Sequence, residues 1–205
     1  MNYNIIKYIK KLNKKPSVQR RLLEHFIAQG ASTIPEMSKG IGVSLPTATH
    51  ALNELIKGGL VKEIGKKDNS PGRIPMVYDL MPNAGYFVGV NPEMDCLAFA
   101  ASDFCGNLIT KKIKVPYVYR NTPENLERLG EIINEFIAGL PISKEEILQV
   151  CVNVAERVNP FEGKAYNMFT FLENPLAEKL TELIQLPVCI ENDTRSMAFA
   201  EFIKG

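Results

Sequence analysis

The chain has 205 residues, 45% hydrophobic and 23% charged, which is enough apolar content for one large domain or two modest ones. Its apolar runs are strand-sized, and lysines interrupt the opening MNYNIIKYIKK, so the sequence excludes a membrane span and a secretory leader and leads to an expectation of a cytoplasmic protein with no membrane partner. The net charge of +1 hides an asymmetry: residues 1–75 carry 13 Lys and Arg against 5 Asp and Glu, and residues 76–205 carry 11 against 18. A basic segment is stabilised near polyanions by counterion release, so the first part is the candidate for nucleic acid; the alternative is that its lysines only solubilise a small domain. The four cysteines, Cys96, Cys105, Cys151 and Cys189, are far apart and show no C-x-x-C spacing, so neither a metal site nor a redox pair is expected and buried free thiols are.

In chain order, VQRRLLEHFIAQG after Ser17 places Val18, Leu22, Leu23, Phe26 and Ile27 at helical spacing and stops at Gly30. IPEMSKGIG predicts a second helix, capped by Thr33, with Pro35 in its first turn and Gly40 at its end. A third helix starts at Ser44, whose hydroxyl can accept the Thr47 N–H, and runs through SLPTATHALNELIKGG. Its inward stripe is expected to be Ala48, Leu52, Leu55 and Ile56. Thr47, Thr49, His50 and Asn53 then lie nearer the outside, where short polar side chains at a helix start suit a major groove. Leu45 either caps the core or touches a thymine methyl. LVKEIG and RIPMVYDL predict two strands around KKDNSPG, a wing whose Lys66, Lys67 and Arg73 are placed for phosphates or a narrow minor groove. Residues 1–80 therefore read as a winged helix-turn-helix with Ser44 at the head of its recognition helix. A protein–protein module of the same layout is the alternative.

Beyond MPNAG the expected order is three strands (YFVGVN, DCLAFAAS, NLITKKIKV), a helix from Pro123 to Leu140, the strand ILQVCVNV, a helix from Pro175 to Ile184, the strand PVCIE and a helix from Asp193. A meander followed by alternating helices and strands predicts an α/β domain with a mixed sheet over residues 84–205, of ribonuclease-H-like organisation. Residues 89–107, GVNPEMDCLAFAASDFCGN, have the frame of a nucleotide-gripping hairpin, but the first turn contains no glycine.

The whole chain resembles the ROK family of repressors, open reading frames and kinases. The resemblance rests on GRIP at residues 72–75, AGYFVGVNPEMDCLAFAASDFCGNLI on the family's first strands, VCVNVAERVNPFEG on its Gly-rich strand and turn, and CIENDTRSMAFAE on its Glu-Asn-Asp motif. It implies an actin-like ATPase lobe in which the asparagine and aspartate of that motif contact a sugar, here Asn192 and Asp193 beside Glu191, with Asn167 of AYNMF as a further contact. From the residues alone, Asn192 or Asp193 equally reads as the cap of the last helix, and both readings stand. Arg195 replaces the family's second asparagine.

Family kinases carry Asp-x-Gly-Gly-Thr in the first hairpin, since glycines let backbone N–H groups reach ATP phosphates. Here Asn91, Glu93, Met94 and Asp95 occupy that loop, adding bulk and negative charge that disfavour a polyphosphate, and the second Gly-rich turn holds Asn153, Ala155 and Glu156. No cofactor is expected. Family members also run to roughly double this length, with a second lobe that closes the sugar cleft, carries a zinc site and supplies dimer contacts; that lobe is absent from this sequence.

The expected function is a DNA-binding repressor of carbohydrate genes, not an enzyme, acting as a homo-oligomer on a double-stranded operator and relieved by a sugar or sugar-phosphate inducer. The alternatives are a sugar kinase with a fused DNA-binding domain, and a degenerate lobe that serves only dimerisation.

Overall fold

The structure is a computed structural model and describes residues 17–66 and 75–204. The chain divides into two compact units, Met1–Gly85 and Tyr86–Gly205.

In the first unit, helix α1 (Val18–Gln29) is capped by Ser17, whose side chain accepts the Arg20 N–H at 3.2 Å, and stops at Gly30 with φ 71°. Leu22 and Phe26 are buried, but Ile27, expected on the same stripe, is 49% exposed because the contact face is narrower than the apolar run. A two-residue strand, β1 (Ser32–Thr33), follows; nothing in the sequence announced it. Helix α2 (Ile34–Ile41) carries a capping box between Thr33 and Glu36. It runs past Gly40, its expected end, to Gly42, where φ is 64°. Gly40 is there for space: a Cβ at that position would stand 2.6 Å from Cε1 of His25.

Helix α3 (Leu45–Lys57) is capped by Ser44, which accepts the Thr47 N–H at 3.3 Å. Its buried stripe is Ala48, Ala51, Leu52 and Leu55. Ile56 was expected inside and is instead exposed, because Ala51 brings the helix close to its neighbours and the stripe turns away from position 56. Leu45 is about half exposed and does not cap the core. The three helices pack on one another. Strands β2 (Val61–Lys66) and β3 (Met76–Leu80) form an antiparallel hairpin with an irregularity between Glu63 and Gly65, giving sheet order β1-β3-β2. Lys66, expected in the connecting loop, ends β2 opposite Met76. Lys67 and Arg73 lie outside the described residues.

The second unit opens with the antiparallel meander β4 (Tyr86–Pro92), β5 (Cys96–Asp103) and β6 (Leu108–Pro116). Helix α4 (Pro123–Ala138), capped by Thr122, leads to β7 (Ile147–Val154), parallel to β4. An unforeseen short hairpin of β8 (Val158–Asn159) and β9 (Lys164–Ala165) precedes α5 (Leu176–Ile184), β10 (Val188–Asn192) and α6 (Asp193–Lys204). The five-stranded mixed sheet has the order β10-β7-β4-β5-β6.

Alternation along these strands assigns the two faces. Val88, Val90, Leu97, Phe99, Val150, Val152, Val154 and Ile190 point into one core with Leu129, Ile133 and Phe136 of α4 and Leu180 and Ile184 of α5. Phe99 stacks on Phe136 with ring centroids 4.7 Å apart. Because β4, β7 and β10 are parallel, their carboxyl ends meet at one edge of the sheet, the position where open α/β folds place ligands.

Candidate functional site

At that edge lies a cleft of about 490 Å³. Asn91, Pro92, Glu93 and Met94 line it from the end of β4 and its turn, Val154, Ala155 and Glu156 from the end of β7, and Tyr119, Asn167, Met168 and Asp193 complete it. The structure thus gathers residues more than a hundred positions apart, as parallel strands must. Asp95, Glu191 and Asn192 are not among the lining residues.

The turn after β4 closes without glycine because Glu93 donates its N–H to the Cys96 carbonyl at 2.8 Å, a bond open to any residue. Met94 is 94% exposed at the mouth of the cleft. Cys96 is buried behind this turn, with its thiol 3.3 Å from Glu93 Oε2; burial, and then the neighbouring Glu93, push its pKa up to about 11.

The opposite wall is tied down by side chains. The Glu156 carboxylate accepts the N–H of Asn167 at 2.5 Å and of Met168 at 2.9 Å. The Tyr119 hydroxyl accepts the Phe169 N–H at 3.0 Å, and Asn121 Oδ1 accepts the Thr170 N–H at 2.9 Å. Four consecutive backbone donors are therefore already satisfied, and the segment cannot serve as an anion-binding nest. Sequence reasoning named Glu156 only as the residue filling a turn and missed Tyr119 and Asn121, since partners some 50 positions apart leave no local pattern.

Asn192 and Asp193 divide the two roles that the sequence left open. Asn192 caps α6: its Oδ1 accepts the Arg195 N–H at 2.9 Å, and its Nδ2 donates to the Glu156 carbonyl at 3.1 Å. Glu191 accepts from Arg195 Nε at 2.9 Å and from the Asn192 N–H at 2.7 Å. Asp193 faces the cleft. Its Oδ1 accepts from the Thr194 N–H at 2.6 Å, and its Oδ2 has no protein donor among the described residues. The lining carries three carboxylates, Glu93, Glu156 and Asp193, and no Lys, Arg or His.

In the first unit, Thr47, His50 and Asn53 are exposed along one strip of α3, opposite Ala48, Leu52 and Leu55. Ser44 Oγ and Thr47 Oγ1 lie 2.8 Å apart at the helix start. Thr49 is half-buried, and its hydroxyl donates to the Leu45 carbonyl at 2.8 Å, so it is placed apart from the other candidates. Lys66 is exposed at the end of β2.

The family model for the ROK family matches residues 96–205, more than half of the chain. The chain belongs to the ROK family. Over 200 residues it is 24% identical to the xylose repressor of Bacillus subtilis (strain 168), an alignment covering 97% of this chain and 50% of that protein. It is 26% identical over 203 residues to the putative xylose repressor of Caldicellulosiruptor sp. (strain Rt8B.4), covering 98% of this chain and 49% of the relative. The ROK chain thus spans about half the length of the curated relatives it matches. A crystal structure of a ROK family transcriptional regulator, described as a homolog of the E. coli MLC protein, superposes with a TM-score of 0.66 at 21% identity, covering 94% of this chain and 48% of that one, a likeness of fold.

Proposed function

We propose that the chain acts in a DNA-binding, sugar-responsive transcriptional repressor and is not itself an enzyme. In this reading the first unit is a winged helix-turn-helix (residues 1–80) and the second a ribonuclease-H-like lobe (residues 84–205). The observation that carries the proposal is the strip of Thr47, His50 and Asn53 on α3, a capped helix with hydrogen-bonding side chains outward, set beside a hairpin in the basic part of the chain. Both relatives named above are termed xylose repressors, one of them putatively, which supports the same reading.

The cleft supports sensing over phosphoryl transfer. Its turn holds Glu93 and Met94, its backbone donors at residues 167–170 are occupied, and its three carboxylates meet no cation in the lining. A neutral sugar suits it better than a sugar phosphate: Asp193 Oδ2 and the side chains of Asn91 and Asn167 offer partners for hydroxyls, while Pro92, Met94 and Met168 supply an apolar face. Release of DNA then requires the sugar to bind the DNA-incompetent arrangement more tightly than the competent one. Exposed Met197, Phe199 and Phe202 on α6 support a homo-oligomer. The site on DNA should accordingly be an inverted repeat, and the protein should work in the cytoplasm; no helix among the described residues is long and apolar enough to cross a membrane.

Gel shifts on the DNA upstream of the chain's own gene, with and without a panel of neutral sugars, test the proposal. A shift lost on adding one of the sugars supports it. No shift at low salt would overturn it.

A further inference from the structure

Two thiols take no part in the cleft or the helix strip, and they lie side by side. Cys151 of β7 and Cys189 of β10 are direct partners in the parallel ladder. Paired positions on adjacent parallel strands project to the same face, here the one that also bears Asn153 and Glu191 and is opposite the core. Neighbouring strands run about 4.7–4.9 Å apart, which falls within the roughly 4.4–6.8 Å between Cα atoms that a disulfide spans. Both residues are only half-buried, so a small reagent can reach them. Cys96, by contrast, is buried beside Glu93, and Cys105 lies in the turn after β5.

We propose that Cys151 and Cys189 form a dithiol modification site, which a low-molecular-weight disulfide converts to an intrachain disulfide between β7 and β10. The hydrogen bond from Cys151 holds the Cys189 thiol below its ordinary value against the opposing effect of burial, so Cys189 is the attacking group. Its thiolate attacks one sulfur of RSSR, forms a mixed disulfide and releases one thiolate, which takes up a proton as RSH. Cys151 then loses its proton and attacks the Cys189 sulfur, releasing the second RSH. The two cysteines give up two electrons and two protons, and RSSR receives both. Cys151 Sγ also lies 3.6 Å from Asn153 Oδ1, which accepts from Ser196 of α6 at 2.8 Å, so oxidation acts on the side chain that joins β7 to the last helix.

The test exposes the folded chain to rising ratios of oxidised to reduced glutathione. The thiol count, read after unfolding, should fall from four to two. Peptide mapping should join the Cys151 and Cys189 peptides within one chain. In Cys151→Ser, which keeps a hydroxyl donor beside Cys189 but no second thiol, the reaction should stop with one glutathione on Cys189; should that variant fail to fold, mapping of the unaltered chain decides alone. Four thiols persisting at every ratio, or a bond formed by any other pair or between chains, would overturn the proposal.

Discussion

Asn192 is bonded to Glu156 across the sheet edge: its side-chain amide donates to the Glu156 carbonyl at 3.1 Å while its own oxygen caps α6 through the Arg195 N–H. The two strand ends that form the cleft wall are thus joined by one side chain. Asn192→Ala removes both bonds, and loss of a helix N-cap alone costs about 0.5–2 kcal/mol. Urea unfolding of the second unit should register a loss at or above that range. Asn192→Asp keeps the cap but not the donor, so it should fall between the alanine variant and the unaltered chain. Equal stabilities for all three would remove this link from the account.

A second prediction concerns the carboxylate of the same Glu156, which receives two backbone N–H groups. Hydrogen bonds to a charged group contribute about 1.5–3 kcal/mol each. Glu156→Gln turns an amide NH₂ toward one of those donors and should destabilise the second unit by at least one such bond. Hydrogen exchange at Asn167 and Met168 should accelerate in the variant, while exchange at Leu180 in α5 stays slow.

On DNA, the strip on α3 separates contact from support. His50→Ala and Asn53→Ala should each weaken binding by about 1–3 kcal/mol if they reach base edges, and Arg73→Ala by a similar amount if it enters the minor groove. Thr49→Val should leave affinity unchanged, because the Thr49 hydroxyl is spent on the Leu45 carbonyl. Affinity should also fall steeply with salt. Fluorescence anisotropy on the upstream DNA measures all of these; a Thr49 variant as weak as the Asn53 variant would contradict the assigned face.

How far the sequence reached depends on the range of the interaction. Caps and strand alternation are local, so Ser17, Thr33, Ser44 and Thr122 were placed to bond N–H groups three residues on, and three of them were legible as helix starts or boundaries. Ile56 failed because helical spacing gives an apolar face but not which edge of that face makes the contact; Ala51, on the other edge, took the inner place. Strand β1 failed because two residues carry no period. In the cleft, Glu93, Met94 and Asp193 were legible through the family resemblance. The bonds from Tyr119 and Asn121 to residues 169 and 170 were not, since only the folded topology brings those segments together.

The first unit should also report on pH. His25 sits over Gly40 with its Nε2 3.2 Å from Ser32 Oγ, and burial lowers its pKa from 6.5 against the raising effect of Glu36. Below 6.5 the unfolded chain binds a proton that the folded chain still refuses, so stability rises with pH across this window. The contribution is complete above 6.5 and is lost as pH falls toward the folded value. Unfolding of the first unit measured between pH 5 and 8 should show this slope, and His25→Gln should flatten it. A slope that survives in the variant would move its origin to another group.

The last prediction separates sugar from support at the α6 start. Asp193 lines the cleft from the first turn of α6, where its carboxylate offers an acceptor to hydroxyl groups and repels phosphate. Asp193→Ala leaves the Asn192 cap in place, so stability and DNA affinity should change little while the response to sugar disappears. Neutral sugars should release the DNA and their phosphates should not, because no cation among the lining residues offsets the three carboxylates. For the same reason ATP with magnesium should produce neither binding nor turnover. Anisotropy titrations with D-xylose and D-glucose against D-glucose 6-phosphate read the difference directly. An Asp193 variant still released by the neutral sugar would leave that residue a role only at the head of α6.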